Sequence, residues 1–569
     1  MARVPAAGQS LGGALDTAVI PRLDADMQTA AEVLVAFLAA QGVDRAFCVP
    51  GESYVAVLDA LHAHPGIDLV TCRHESGAGF MALADARLTG VPGVALVSRG
   101  PGACNAAIAI HTAQQDSVPV LLIVGQVEAR DLRARAFQEI DYSRMFDGIA
   151  KFIGEATNAE QVPELLSRAW AAMLTGIPGP AVLALPEDVL AQVCERSALS
   201  PVIASDAAPS PESADRLAEL LRGAERPIVI AGGDLDRPPA AGKMGGREAL
   251  LAFAERWQVP VAVSFRRQDL FANAHPLYAG DMGLSNPQAQ REAFARADLV
   301  IALGTRLGDI TTQGYSFPQP GQLLVHVCAD ASWLGWRFPT ELALAAHALP
   351  TLAALANRNA AAPPGRAAWN AELRALQSAD AAWVPRSAGD GVVFGNVVAA
   401  LGPRLPDDAI VTLDAGTFGA PFYRKIAWKP GQRLLAPIAG SMGYGMPAAV
   451  AAALRHPGRP VICAVGDGGF LMTGSELAVA AARQAPLKVL LSENGSYASI
   501  RIHQERAHPG RISGTDLVNP DLAMMGAAYG YPVMVVREEA EIPALLDALV
   551  APGPLFAVVH TSLSAVLPR

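Results

Sequence analysis

The stretch VICAVGDGGFLMTGSEL, from Val461 to Leu477, places an acidic residue where an apolar run stops. Val461 to Val465 reads as a buried parallel strand, and Thr473 to Arg483 reads as a helix. Asp467 stands between Gly466 and Gly468 at that junction. A carboxylate there repels a bare phosphate, but it suits a cation that in turn holds one. Twenty-five residues separate Gly468 from Asn494, along a path of turn, helix and strand. Parallel neighbouring strands joined by one helix end at the same sheet edge, so Asp467 and Asn494 are expected to meet. Their oxygens, with a backbone carbonyl near Ser496, form the hard donor set that Mg²⁺ takes together with water and phosphate. Gly468 and Gly469 let phosphate oxygens approach backbone N–H groups. A solvated turn Asp and a turn-capping Asn would explain either residue alone; the spacing of the pair favours a metal-bridged diphosphate.

Other glycine-rich strand ends are less specific. IAGGDLDR, after Ile230, lacks the G-x-G-x-x-G spacing of a dinucleotide loop, and SRGPGACN (Ser98 to Asn105) is equally well a tight turn. No G-x-x-x-x-G-K-[ST] pattern occurs, and the missing dinucleotide fingerprint disfavours a nicotinamide-dependent dehydrogenase.

These residues need a scaffold, and the pattern supplies an α/β one. Helix-period and strand-period segments alternate from Met27 onward. Fold class is therefore α/β, with three consecutive domains, each a mostly parallel sheet flanked by helices. The expected division is an extension over 1–26, a first domain over 27–195, a central domain over 205–356, a linker over 357–385 and a last domain over 386–569. A chain of 569 residues is too long for one core. Its apolar share of 51% against 17% charged residues fits well-buried α/β layers, not disorder. A net charge of -10 gives no electrostatic reason to bind nucleic acid or an anionic membrane. The six cysteines never form C-x-x-C and read as reduced core residues of a cytoplasmic protein. No 18-residue apolar run occurs, and residues 1–26 lack the hydrophobic centre of a signal peptide, reading as a flexible extension.

Gly-Asp-Gly followed after about 25 residues by Asn resembles the signature of thiamine diphosphate-dependent enzymes. The wider match is to their acetolactate synthase-like branch, the large catalytic subunit, and runs from Met27 onward. It is carried by RHESGAGFMALADARLTGVPGVALVSRGPGACN, SVPVLLIVGQV, AFQEID, GSMGYGMPAAVAAAL and IRIHQERAHPGRISGTDLVNPDLAMMGAAYG. The resemblance implies pyrimidine-binding, central and diphosphate-binding domains, and an active site between two subunits of a homodimer or homotetramer. It assigns Glu75 to the glutamate that hydrogen-bonds the aminopyrimidine and promotes loss of the thiazolium proton. Met442 matches the apolar wedge between the two rings, and Gly440 the carbonyl that meets the exocyclic amine. Gly416, Thr417, Gly468, Gly469 and Ser496 match cofactor contacts; Asp467, Asn494 and Ser496 match the metal ligands.

Around the substrate the resemblance points to Phe137, Gln138, Lys151, Ser499 and His503, with Gln138 and His503 as catalytic candidates. The chain also departs from the branch. Thr417-Phe418 stands where acetolactate synthases carry Gln-His, and Phe418 cannot donate to a phosphate. Arg99 replaces the serine of Ser-Gly-Pro-Gly. His503 replaces a tryptophan that selects the second 2-oxoacid, which suggests a polar or acidic substrate group or an activated water. The segment VIALGTRLGDITTQGYSF, with Arg306 and Asp309, resembles an FAD-contacting stretch, whereas AGDMGLSN matches the accompanying Gly-Met-His-Gly loop only loosely. FAD, ADP or neither are the alternatives for the central domain. The implied activity is formation or cleavage of a carbon–carbon bond next to a carbonyl, on pyruvate or another 2-oxoacid. A 2-oxoacid decarboxylase, an acyloin lyase and a cyclic-diketone hydrolase on the same cofactor are the alternatives.

Overall fold

The computed structural model describes residues 27–195, 200–239 and 242–567; the extension expected over 1–26 lies outside them. Strand β1 (Gln28–Thr29) pairs antiparallel with β8 (Val193–Cys194), joining the two ends of the first domain. Between them lie β2 (Arg45–Cys48), β3 (Asp68–Thr71), β4 (Gly93–Ser98), β5 (Val120–Gln126), β6 (Phe152–Glu155) and β7 (Ala181–Pro186). These form one parallel sheet in the order β3-β2-β4-β5-β7-β6. The residues of β5 are buried on both faces, as a helix-covered parallel sheet requires, and this is why the strand reads as an unbroken apolar run.

The central sheet contains β9 (Pro227–Ala231), β10 (Val261–Val263), β11 (Tyr278–Asp281), β12 (Leu299–Leu303), β13 (Leu323–Val327) and β14 (Leu342–Leu344). Its order is β11-β10-β9-β12-β13-β14, again all parallel. The last sheet contains β15 (Ile410–Leu413), β16 (Arg433–Leu435), β17 (Val461–Gly466), β18 (Leu487–Glu493), β19 (Val533–Val536) and β20 (Leu555–His560), in the order β16-β15-β17-β18-β20-β19. The first and last sheets thus share one strand order. In both, the direction of winding reverses between the first and third strands, β2/β4 and β15/β17; in the central sheet it reverses between β9 and β12. Ligands of open α/β sheets bind at such points, outside the carboxyl ends of the strands.

Helix Glu75–Thr89 joins the outer domains. It is buried along nearly its whole length and packs on helix Gly445–Arg455, with the Phe80 and Tyr444 rings edge to face at 5.7 Å. Two expectations change. The segment 357–385, expected as a linker, contains helix Arg366–Ala381, whose Trp369 and Leu373 pack into the central domain core. Trp369, Leu373 and Leu376 recur at helical spacing, a pattern that the flanking Ala, Pro and Gly residues obscure. The helix expected over Thr473–Arg483 instead begins at Asp467: helix Asp467–Thr473, a turn at Gly474–Glu476, then helix Leu477–Ala482.

Candidate active site

At the carboxyl ends of β17 and β18, which are neighbours, Asp467 and Asn494 meet. Oδ2 of Asp467 accepts the N–H of Asn494 at 3.2 Å, that of Gly495 at 2.8 Å and Nδ2 of Asn519 at 2.9 Å. Oδ1 takes the N–H of Gly468 at 2.9 Å. Asn494 turns its own amide oxygen to the N–H of Ser496 at 3.1 Å. Ser496 is buried, with its hydroxyl on the Thr515 carbonyl. Asn519, absent from the sequence expectations, leaves its Oδ1 buried with no hydrogen-bond partner beside Asp467. An unpaired buried acceptor is costly unless a cation or water meets it. Among the described residues no group of three or more His, Cys, Asp or Glu side chains is arranged to hold a metal. An ion here would rest on one carboxylate with amide, carbonyl and phosphate oxygens, which suits Mg²⁺. The residues present therefore fit a metal-bridged diphosphate.

Across the edge, after β15, Asp414 organises two of the expected cofactor loops. It is buried, and its carboxyl accepts the N–H groups of Ala415, Gly443 and Gly445 at 2.7 to 3.0 Å. Burial pushes this carboxyl up to about 6, against the pull of the Gly445, Ala415 and Gly443 N–H groups. Thr412 and Thr473 add hydroxyl bonds to the Gly445 and Gly443 carbonyls, at 2.8 and 2.7 Å. The turn bearing Gly440 and Met442 is thereby fixed; Met442 is half-buried and Gly440 exposed with φ +70°. Gly416 and Thr417 lie on the adjoining strand end. The ring of Phe418 covers Gly416 so closely that a Cβ there would fall 2.5 Å from it. Thr417, Asn494, Ser492 and Ser562 line a cavity of about 260 Å³. Asp414 announces itself in the sequence as Asp467 does, an acidic residue between an apolar strand and a glycine.

Glu75 occupies the first turn of its helix, after β3, half-buried. Its Oε2 takes Nδ2 of Asn105 at 2.9 Å, and a Cβ on Gly102 would lie 3.6 Å from its Oε1. Arg99, at the end of β4, has φ +44° and bridges Glu187 at 2.9 Å and Glu52 at 3.2 Å. Gln138, at φ +65°, offers its carbonyl to the N–H of Gly100, which brings the Phe137-Gln138 turn to this edge; Phe137 is 76% exposed. Ser499 and His503 lie four residues apart on helix Ala498–Ala507 and so share a face, His503 exposed. Lys151 is placed elsewhere: it precedes β6, at the opposite edge of the sheet, with Nζ on the Thr175 and Ile177 carbonyls. There it adjoins a cavity of about 520 Å³, lined by Ile177, Asp234, Thr305, Arg306, Asp309 and Trp333. That cavity opens at the β9/β12 reversal of the central sheet.

Glu476 is a further residue that no sequence pattern marks. Its carboxylate is fully buried and reaches from the last domain to the turn before Glu75. Burial pushes it up to about 7, against the Arg73 and His74 N–H groups.

Descriptions of thiamine pyrophosphate enzymes match the chain three times: the N-terminal TPP binding domain over residues 28–145, the central domain over 214–355 and the C-terminal TPP binding domain over 414–560. The acetolactate synthase isozyme 1 large subunit of Escherichia coli is 31% identical, over 94% of each chain. A Pseudomonas aeruginosa protein named "Probable 2-ketoarginine decarboxylase AruI" is 35% identical, also over 94% of each chain. The Escherichia coli isozyme 2 large subunit is 28% identical, over 94% of this chain and 95% of its own. With its three domains matched in order and its length covered, the chain belongs to the thiamine diphosphate-dependent enzymes, in their acetolactate synthase-like branch.

Proposed function

We propose that this enzyme forms or breaks a carbon–carbon bond next to a carbonyl, taking pyruvate or another 2-oxoacid as donor, with its cofactor anchored through Mg²⁺. The observation that carries the proposal is the convergence of Asp467, Asn494 and Asn519 on one sheet edge with the Asn519 oxygen left over. Asp467, Asn494 and the backbone at Ser496 would hold the ion, while Gly416, Thr417 and Gly469 would offer backbone N–H groups to the diphosphate and Gly468, its own N–H on Asp467, would let it approach. Thiamine diphosphate, when bound, supplies a nucleophilic carbon and an electron sink for decarboxylation.

The chain's own groups do the rest. Asn105 fixes one Glu75 oxygen and leaves the other to share a proton with the aminopyrimidine ring. The Gly440 carbonyl would meet the exocyclic amine, and Met442 would wedge the rings. Gln138, Phe137 and the face bearing Ser499 and His503 would surround the substrate, with Arg99 at the rim; Lys151, at the opposite edge of its sheet, takes no part. Leu471, Met472 and Ile108, apolar and 42 to 49% exposed near these two edges, support closure of the site by a second copy of the chain. The central cavity, at a strand-order reversal and bearing Arg306 and Trp333, suits the adenine nucleotide portion of FAD or ADP.

A second reading is simple 2-oxoacid decarboxylation. The similarity to the protein named for 2-ketoarginine supports it, as does an acidic rim in which one Arg99 faces both Glu52 and Glu187. Titration of thiamine diphosphate with Mg²⁺ and with a chelator, followed by product analysis over 2-oxoacids with neutral, acidic and cationic tails, tests both readings. Chelation and Asp467→Ala should each weaken cofactor binding about tenfold or more. Unchanged affinity in both cases would remove the metal from the proposal, and aldehyde without any ligation product selects the second reading.

A further inference from the structure

We propose that Glu476 is a positioning residue for Glu75, a carboxylate from the last domain that fixes the turn from which Glu75 leaves the first. The inference rests on the reading of Glu75 as the proton partner of the cofactor. The first N–H groups of a helix have no partner within it, and a carboxylate is favoured at that end. Here Oε1 and Oε2 of Glu476 both lie 3.1 Å from the Arg73 N–H, and Oε1 lies 2.9 Å from the His74 N–H. Nδ1 of His74 takes the Ser76 N–H at 3.2 Å, completing the start of the helix.

The fit is close. A Cβ on Gly77 would fall 2.2 Å from Oε1, so only a glycine there admits the carboxylate. Glu476 is 0% exposed, so a Cβ on Gly77 would have to displace it within the packed interior. Asn105 holds the Glu75 side chain from the neighbouring helix, while Glu476 holds the Arg73-His74 backbone just ahead of it. Without that clamp Glu75 keeps its chemistry and loses its place, which affects turnover more than binding. Burial raises the Glu476 carboxyl and Glu75 repels it, so the Arg73 and His74 N–H groups and the Arg73 charge keep it in use as an acceptor.

Glu476→Gln tests this, because the amide keeps one acceptor oxygen but sets a donor in the place of Oε2, against the Arg73 N–H. The expected result is a fall in kcat for 2-oxoacid consumption of about tenfold or more, with KM and metal-dependent cofactor affinity within about threefold of wild type. In cofactor-free protein, backbone amide exchange over residues 72–77 should quicken by about tenfold. Gly77→Ala, which displaces the same carboxylate without removing it, should reproduce both changes and decides the matter if Glu476→Gln does not fold. Glu75→Gln separates the layers. Full turnover in Glu75→Gln ends the underlying reading of Glu75. A dead Glu75→Gln beside Glu476→Gln and Gly77→Ala with wild-type turnover and exchange overturns the positioning role.

Discussion

Three N–H groups converge on Asp414, which is buried. Such a carboxyl holds the Met442 turn by geometry and at the same time resists ionising, because its charge is desolvated. Its folded value of about 6 lies above the 3.8 of an ordinary aspartate. A raised carboxyl contributes stability that is fully present below the unfolded value near 4 and is lost as pH rises through about 6. Asp414→Asn mimics the protonated form at every pH and removes this dependence. The stability advantage of wild type over the variant should therefore shrink by on the order of 2 kcal/mol between pH 4 and 7. Thermal midpoints of both proteins across that range measure it; a gap that stays constant or widens would show that Asp414 ionises normally.

Asp467 and Asn494 were legible from the sequence because each follows a long apolar strand and precedes or abuts a glycine. Local pattern locates strand ends, and strand ends locate a site in a parallel sheet. Asn105, Asn519 and Glu476 were not legible, since their roles exist only through contacts; Glu476 and His74 are 402 positions apart. The elements between them set the distance of approach. Helix Glu75–Thr89 lies on β4 so tightly that a Cβ on Gly93 would fall 2.0 Å from the Ala82 carbonyl oxygen. Backbone cannot step aside as a flexible side chain can. Gly93→Ala should lower stability by roughly 1–3 kcal/mol and shift the helix that carries Glu75. Gly458, whose Cβ would meet nothing within 4 Å, gives the control: Gly458→Ala should be neutral or slightly stabilising. Equal melting of the two variants would mean that the helix and sheet are not in hard contact.

At the scale of the whole molecule the three domains meet on one buried carboxylate. Asp236, in the central domain, pairs with Arg87 of the first domain at 3.1 Å, Arg247 of its own at 2.6 Å and Arg433 of the last at 3.1 Å. Asp269 shares Arg247 at 2.5 Å, and Asp116 lies 3.9 Å from Arg87. Burial opposes ionisation of Asp236, but Arg433, Arg247 and Arg87 outweigh it and hold the carboxyl far below the usual range. No sequence pattern foretells this junction, because its members are scattered over all three domains and each alone reads as a surface charge. Replacing a buried ion pair by apolar groups is often harmless, but removing one partner strands the others. Asp236→Ala leaves three buried guanidinium groups with only Asp269 and Asp116 to offset them, and should cost about 3–5 kcal/mol. The loss falls on the contacts between domains, so calorimetry should show unfolding that is broader or more split than in the wild type as the domains melt apart. High salt should rescue little, since ions screen exposed charges far better than buried ones. A variant that melts in one transition at the wild-type temperature would show that the domains are joined by their apolar helix contacts alone.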